Sequence, residues 1–345
     1  MPLPLQPTLD FVTGLPKAEL HLHLEGTLEP DLKLRLAERN GIDIGQTTVE
    51  EVQATYRFTD LTSFLAVYYP AMDVLQTEDD FFELAHAYLL RAAANGVKHA
   101  EMFFDPQAHT ARGVPFETVV KGYHRAAAAA SDFGVDADLI LCFLRDLSAE
   151  SAAETLEASV PFKDLILGVG LDSDERGNPP EKFTAVFARA RELGYRLTMH
   201  CDIDQVGSID NIRTVLETIE VDRIDHGTNI VEDPALVAEV KARGIGLTSC
   251  PVSNSFVTDD MKAVEVAQLL RDGVKITINS DDPAYFGGYV ADNYAAVAAK
   301  AGLTSEEVVT LAKNSFEASW IDAGRRAAYL DEIDRYVEQY EPAQA

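Results

Sequence analysis

Along most of the chain one pattern recurs: apolar residues at helical spacing, a glycine, then a short run rich in Val, Ile, Leu and Thr. It is read in "LLRAAANGVKHAEMFF", "AAAAASDFGVDADLILCFL", "FARARELGYRLTMHC", "LVAEVKARGIGLTSC" and "AQLLRDGVKITINS". The helical spacing predicts amphipathic helices, and each short apolar run predicts a strand buried on both faces, as in a parallel sheet. Gly96, Gly134, Gly194, Gly244 and Gly273 stand where each helix must close with a left-handed residue. "KAELHLHLE", "DLILGVGLD" and "VDRIDHG" bring the candidate strands to eight. Alternating helices and strands predict a parallel sheet. Eight such units fit a closed barrel better than an open doubly wound sheet, because no Gly-x-Gly-x-x-Gly follows any strand. The expected fold is therefore a distorted (β/α)8 TIM-type barrel, with residues 1–345 as a single domain. Residues 42–77, which include "TDLTSFLAVYYPAMDVL", read as added helix between the first and second strands. Insertions of this kind often cover a barrel's mouth.

In such a barrel, chemistry belongs at the C-terminal ends of the strands, and there the polar residues gather. On strand one, His21, His23 and Glu25 alternate with Leu22 and Leu24, and a two-residue period aims all three at one side. Strand five ends at His200, strand six at His226 in "RIDHG", and strand eight at Asp281 in "INSDDPAYFGGY". His21, His23, His200 and Asp281 are expected to converge on the barrel axis, a donor set suited to a divalent transition metal. Zinc held in this way keeps room for a water whose pKa it pulls toward about 7. His226 is then a general base or electrostatic partner beside the metal, and Asp282 can accept a hydrogen bond from a substrate N–H. His86 and His124 fall in helical patterns and His99 at the wrong end of strand two. His109, in "DPQAHT", either lines the mouth or packs.

Composition narrows the partners. A chain that is 47% hydrophobic and 25% charged is that of a soluble globular protein with a large core. A formal net charge of −28 argues against nucleic acid and against anionic membranes. No apolar run approaches the roughly 20 residues of a membrane span, and "MPLPLQPTLDFVTGLP" lacks the features of a secretory signal. Cys142, Cys201 and Cys250, odd in number and widely spaced, suggest free thiols in a reducing cytoplasm. Oligomeric state is not legible.

"AELHLHLEGTLEP", "RIDHG" and "NSDDPAYFGGY", in this order and spacing, resemble the adenosine/adenine deaminases of the amidohydrolase superfamily. The resemblance spans nearly the whole chain. It implies one zinc ion in a distorted (β/α)8 barrel and hydrolytic removal of the 6-amino group of a small-molecule purine. By position, His21, His23, His200 and Asp281 are similar to the zinc ligands, and His226 to the histidine that orients or deprotonates the attacking water. Asp282 is similar to the residue that contacts purine N7. In the nucleoside-specific branch the first motif usually ends Asp-Gly, and that Asp helps to hold the ribose. Here it ends Glu25-Gly26, and the extra methylene is expected to push a carboxylate into the sugar's space. "EMFFDPQAHT", "GVGLDSDERGNPPEKF" and "SDDPAYFGGYVADNY" also look more like the adenine-specific branch, with Gly170 and Asp172 of the second segment expected at the substrate. The implied substrate is free adenine or an N6-substituted adenine, giving hypoxanthine and ammonia from adenine itself; the alternative is adenosine giving inosine.

One stretch departs from the family. Where His-Ala-Gly-Glu usually stands, with the Glu protonating ring N1, this chain reads "TMHCDIDQ". If extended backbone continues past His200, Asp202 and Asp204 face the same way as the imidazole. Either carboxyl, buried beside an apolar pocket, could supply the proton; Asp204 is the first candidate and Asp202 the second. The alternative is that both merely orient ligands or cap the following helix. A catalytically silent purine-binding homologue is the rival function. A binuclear amidohydrolase is disfavoured because "GVGLDSDE" offers no bridging lysine, and the His/Cys/Cys zinc deaminases are excluded because no Pro-Cys-x-x-Cys exists.

Overall fold

The computed structural model describes residues 3, 5–201, 205–258 and 260–340. Eight strands lie in chain order and pair in parallel with their successors: β1 (Lys17–Glu19), β2 (Val97–Phe104), β3 (Asp136–Leu144), β4 (Gly168–Asp172), β5 (Arg196–Cys201), β6 (Arg223–His226), β7 (Gly246–Ser249) and β8 (Lys275–Ile278). Helices fill the connections, as expected of a (β/α)8 barrel. The five glycines that close the connecting helices all take positive φ, from 67° at Gly244 to 81° at Gly194.

Two irregularities distort the barrel and shape its mouth. Between β8 and β1 the sheet closes only at the C-terminal end, where His23 N–H donates to Asp281 O (3.0 Å) and Asp281 N–H to His21 O (3.1 Å). Below these bonds the Asn279 side chain, instead of backbone, accepts from Leu20 N–H at 2.8 Å. Between β4 and β5, pairing is limited to Gly168 with Arg196 and Val169 with Leu197. Past that point the buried Arg145 donates to His200 O (2.7 Å) and to Asn178 O (3.1 Å), bridging the gap.

Strand one is shorter than the alternation predicts. Leu24 takes helical dihedrals (φ −59°, ψ −41°), and Glu25 opens a 3-10 turn, Glu25–Thr27. The two-residue period thus ends at His23, and Glu25 does not share the imidazoles' side.

The residues added after strand one form helices Val49–Thr55 and Leu61–Ala71. The second starts at a reciprocal cap, with Asp60 Oδ1 accepting from Ser63 N–H (2.8 Å) and Ser63 Oγ accepting from Asp60 N–H (3.1 Å). Its Phe64 and Tyr68 rings pack on Phe286 and Tyr285, at 4.9 and 5.6 Å between centroids. The helix is thereby fastened over the barrel mouth, next to the segment that follows Asp282. Beneath the mouth, the barrel interior is layered. Phe103, Ile140 and Cys142 form a small apolar cluster. Arg223 lies lower, bound to Glu101 and 4.2 Å above the Trp320 ring. Among the described residues no helix is long and apolar enough to cross a membrane.

Candidate metal centre and adjoining cavity

His21 and His23 leave the tip of β1, His200 lies on β5, and Asp281 follows β8. One ligand atom from each of these four buried residues lies within 4.8 Å of the others. His21 Nε2 and His23 Nε2 stand 3.3 and 3.4 Å from Asp281 Oδ1, and His23 Nε2 stands 3.2 Å from His200 Nε2. Two further groupings among the described residues, His226–Cys250–Asp281 and His23–Asp105–Asp172, flank this one, and each shares a member with it.

Each imidazole has a polar neighbour on the side of its other nitrogen. His21 Nδ1 meets Thr248 Oγ1 at 2.9 Å, and Thr248 in turn donates to Asp225 Oδ1 at 3.1 Å. His23 Nδ1 faces Asp172 Oδ2 at 3.4 Å, and His200 Nδ1 faces Asp225 Oδ2 at 3.5 Å. With the proton on Nδ1, the tautomer these neighbours favour, the Nε2 lone pairs face the centre. His21 Nε2 has no hydrogen-bond partner there. In that tautomer lone pairs face one another across 3.2 Å beside a carboxylate, an arrangement that a cation relieves. The protonation states suit one. Burial pulls His23 down to about 4 and His200 well below its usual range. Asp281 is pushed up by burial but held well below the carboxylate range by His21, His226 and His23. Neutral imidazoles and an ionised carboxylate are the forms that bind metal. The donor set fits a divalent transition ion, zinc among them. Thr248 and Asp225 escaped the sequence reading; the only signal for Asp225 is its register with His200 across β5 and β6.

A cavity opens beside the four residues, bounded by His23, His200, His226, Asp281 and Asp282 and roofed by Leu61, Phe64, Leu65, Tyr68 and Tyr69. Its apolar roof over a polar floor suits a small planar ligand. His226 reaches it by breaking the strand: its φ is 60°, so its side chain enters the cavity while its register partner Cys201 packs in the core. Three of the five described non-glycine residues with positive φ, Ser173, His226 and Asp281, border this cavity. Such strain gathers where a site over-determines the backbone. Burial, aided by His21, pulls His226 down to about 3, and its Nε2 lies 4.0 Å from Asp281 Oδ2. A neutral imidazole so placed can receive a proton. Asp282 is driven well above the carboxylate range by burial and by Asp281. Its backbone and carboxyl are tucked against Gly26, where a Cβ would fall 2.0 Å from Asp282 Oδ1.

Other expectations need correction. Glu25 does not border the cavity: its Oε1 meets His109 Nε2 (2.8 Å) and accepts from Tyr123 OH (3.0 Å) and Asp105 N–H (3.3 Å). The 3-10 turn that ends strand one rotates it away from the cavity. His109 is correspondingly buried beneath the mouth. Gly170 also lies below the cavity, where a Cβ would meet Cys142 Sγ at 2.7 Å; it permits close strand packing in place of touching a substrate. Asp172 does border the cavity, next to Asp105, which the sequence reading passed over. Burial raises Asp172 to about 7 and Asp105, further repelled by Asp172 and Glu25, well above the carboxylate range. Asp202 and Asp204 lie outside the described residues.

Comparison with known proteins gives the site its context. A family model described as adenosine deaminase matches residues 16–336. An adenine deaminase of Trichlorobacter lovleyi is 49% identical over 341 residues, covering 98% of this chain and 97% of its own. The crystal structure of an adenine deaminase from Arthrobacter aurescens superposes with a TM-score of 0.90 at 46% identity, covering 94% of this chain and 99% of that one. An amidohydrolase from Burkholderia ambifaria, solved with bound Zn, has a TM-score of 0.86 at 28% identity and covers 97% of both chains.

Proposed function

Because the chain belongs to the adenosine deaminase family, we propose that it hydrolyses adenine to hypoxanthine and ammonia, using one zinc ion per chain. The observation that carries this reading is the meeting of His21, His23, His200 and Asp281 at one wall of a cavity that His226 and Asp282 also border. The adenine deaminases at 46–49% identity and the zinc-bound relative support the substrate and the metal. A zinc ion bound here would lower the pKa of a water toward about 7 and so supply the nucleophile.

The remaining work falls to side chains. His226, neutral at the cavity wall, takes the water's proton at Nε2 as the bond to C6 forms. Asp282, fixed by Gly26, meets the five-membered ring at N7. Asp204 donates a proton to N1, with Asp202 as the alternative, and so neutralises charge that attack builds on the ring. The helix Leu61–Ala71 excludes bulk water, which strengthens each of these contacts. Residues 1–345 act as one domain, and three buried free cysteines support a cytoplasmic setting.

The test is an ultraviolet assay of the zinc-loaded protein against adenine, adenosine and N6-alkyl adenines side by side. Adenine should be converted to hypoxanthine fastest. Conversion of adenosine in preference would shift the assignment to the nucleoside, and binding without turnover of any purine would make the protein a silent homologue.

A further inference from the structure

Asp105, Asp172 and Asp282 border the cavity at 1%, 3% and 4% exposure. Among the described residues, no N–H or O–H outside the neighbouring carboxyls reaches Oδ1 of Asp105, Asp172 or Asp282; the Cys142 thiol beside Asp172 is a weak donor. Buried acceptors without donors are costly, so a molecule that meets Asp105 and Asp172 must bring an N–H of its own; N7, which faces Asp282, is an acceptor and supplies none. The barrel order sets where they must be. Asp282 follows β8 and His226 ends β6, while Asp172 ends β4 and Asp105 follows β2. In a ring of eight consecutive strands, β4 stands across the mouth from β8 and β2 across from β6. A purine held at N7 by Asp282, with C6 toward the histidine cluster, therefore turns its far edge to Asp172 and Asp105. On free adenine that edge carries the acceptor N3 and the donor N9–H. On a nucleoside the N9 proton is replaced by a sugar carbon.

We propose that Asp105, backed by Asp172, accepts the N9–H of the free base and is the residue that excludes nucleosides. The inference rests on the purine reading above. The Asp105 backbone is held: Glu25 Oε1 accepts from Asp105 N–H, and Asp105 stands at the N-terminal boundary of the short helix Pro106–Thr110. The carboxyl oxygen accepts whether or not Asp105 carries a proton on its other oxygen, so the contact does not depend on its ionisation. Sugar exclusion thus belongs to Asp105 and not to Glu25, which does not border the cavity and whose Oε1 is held by His109, Tyr123 and the Asp105 N–H.

The test compares adenine, 9-methyladenine and adenosine in the zinc-loaded wild type, Asp105→Ala and Asp105→Asn, with zinc content measured for each. The wild type should prefer adenine to 9-methyladenine in kcat/KM by roughly a hundredfold or more. Asp105→Ala should lose about tenfold or more with adenine, the worth of one hydrogen bond to a carboxyl. It should keep or gain rate with 9-methyladenine, and Asp105→Asn, which retains an acceptor, should fall between. Equal use of adenine and 9-methyladenine by the wild type overturns the proposal, as does an equal loss on both substrates in the variants. Calorimetry with hypoxanthine and 9-methylhypoxanthine on the wild type gives a second readout that needs neither a folded variant nor turnover. A wild type inert toward every purine overturns the activity assignment instead, and the calorimetric preference then decides the role of Asp105 by itself.

Discussion

Thr248→Val isolates what the orienting residues contribute to the metal centre. Thr248 is fully buried on β7, and its hydroxyl joins His21 Nδ1 (2.9 Å) to Asp225 Oδ1 (3.1 Å). Valine has nearly the same shape, so the change opens no cavity and acts through hydrogen bonding alone. It strands the His21 Nδ1–H, at about 1–3 kcal/mol for a buried unpaired donor, and removes a bond to Asp225 worth about 1 kcal/mol. Asp225 keeps His200 Nδ1 at 3.5 Å and Arg223 Nε at 3.8 Å, so its loss is partial. The metal-free protein should therefore lose about 2–4 kcal/mol of stability. Without its acceptor, His21 is free to move the proton to Nε2, which then competes with the metal. Loss of such a partner typically weakens metal affinity by roughly 10–100-fold, or about 1.4–2.7 kcal/mol. Zinc competition against a chelator of known affinity measures the second effect, and melting of the metal-free protein measures the first. A Thr248→Val protein that melts lower yet binds zinc as tightly as the wild type would refute the claim that this hydroxyl sets the ligand's tautomer.

Three further predictions bear on different parts of the account. Gly26→Ala would place a Cβ 2.0 Å from Asp282 Oδ1 and 2.7 Å from its Cα, so Asp282 must shift; adenine turnover should fall roughly 10²-fold while zinc content stays at the wild-type level. Asp204→Asn should cost roughly 10²–10⁴-fold in kcat with zinc retained, and an unchanged rate would move the proton donor to Asp202. Burial pushes Glu101 up, but Arg223, His99 and the Trp320 N–H overcome it and hold Glu101 at about 2. A depressed folded pKa gives stability that is present above the unfolded value and is lost as pH falls toward 2. Glu101→Gln should thus destabilise metal-free protein by about 3 kcal/mol at pH 7, and urea titrations should show the deficit shrinking between about pH 4.5 and 2; a constant deficit would contradict the assignment.

The barrel was legible because its signals are local. Gly96, Gly134, Gly194, Gly244 and Gly273 mark helix ends within a few residues of each strand, and apolar runs of strand length leave little choice of element. His21, His23, His200 and Asp281 were legible because a strand-end position in such a fold dictates where a side chain converges. Glu25 was misplaced because the alternation that aims His21 and His23 has no sequence mark for its end: a single helical residue, Leu24, reverses the direction. His226 reached the site by the opposite route, through a left-handed φ that pure alternation does not anticipate. Thr248, Asp225 and Asp105 matter through contacts with His21, His200 and Glu25, partners at least 25 residues away in the chain. Chemistry of that kind is a property of register and not of any local motif.

The most direct test of the central claim measures bound zinc and adenine conversion together, on wild type and on Asp281→Ala. The account predicts one zinc per chain with steady release of ammonia in the wild type, and loss of both in the variant. A zinc-stripped wild type that still deaminates adenine, or an Asp281→Ala protein with a full complement of zinc, would contradict it.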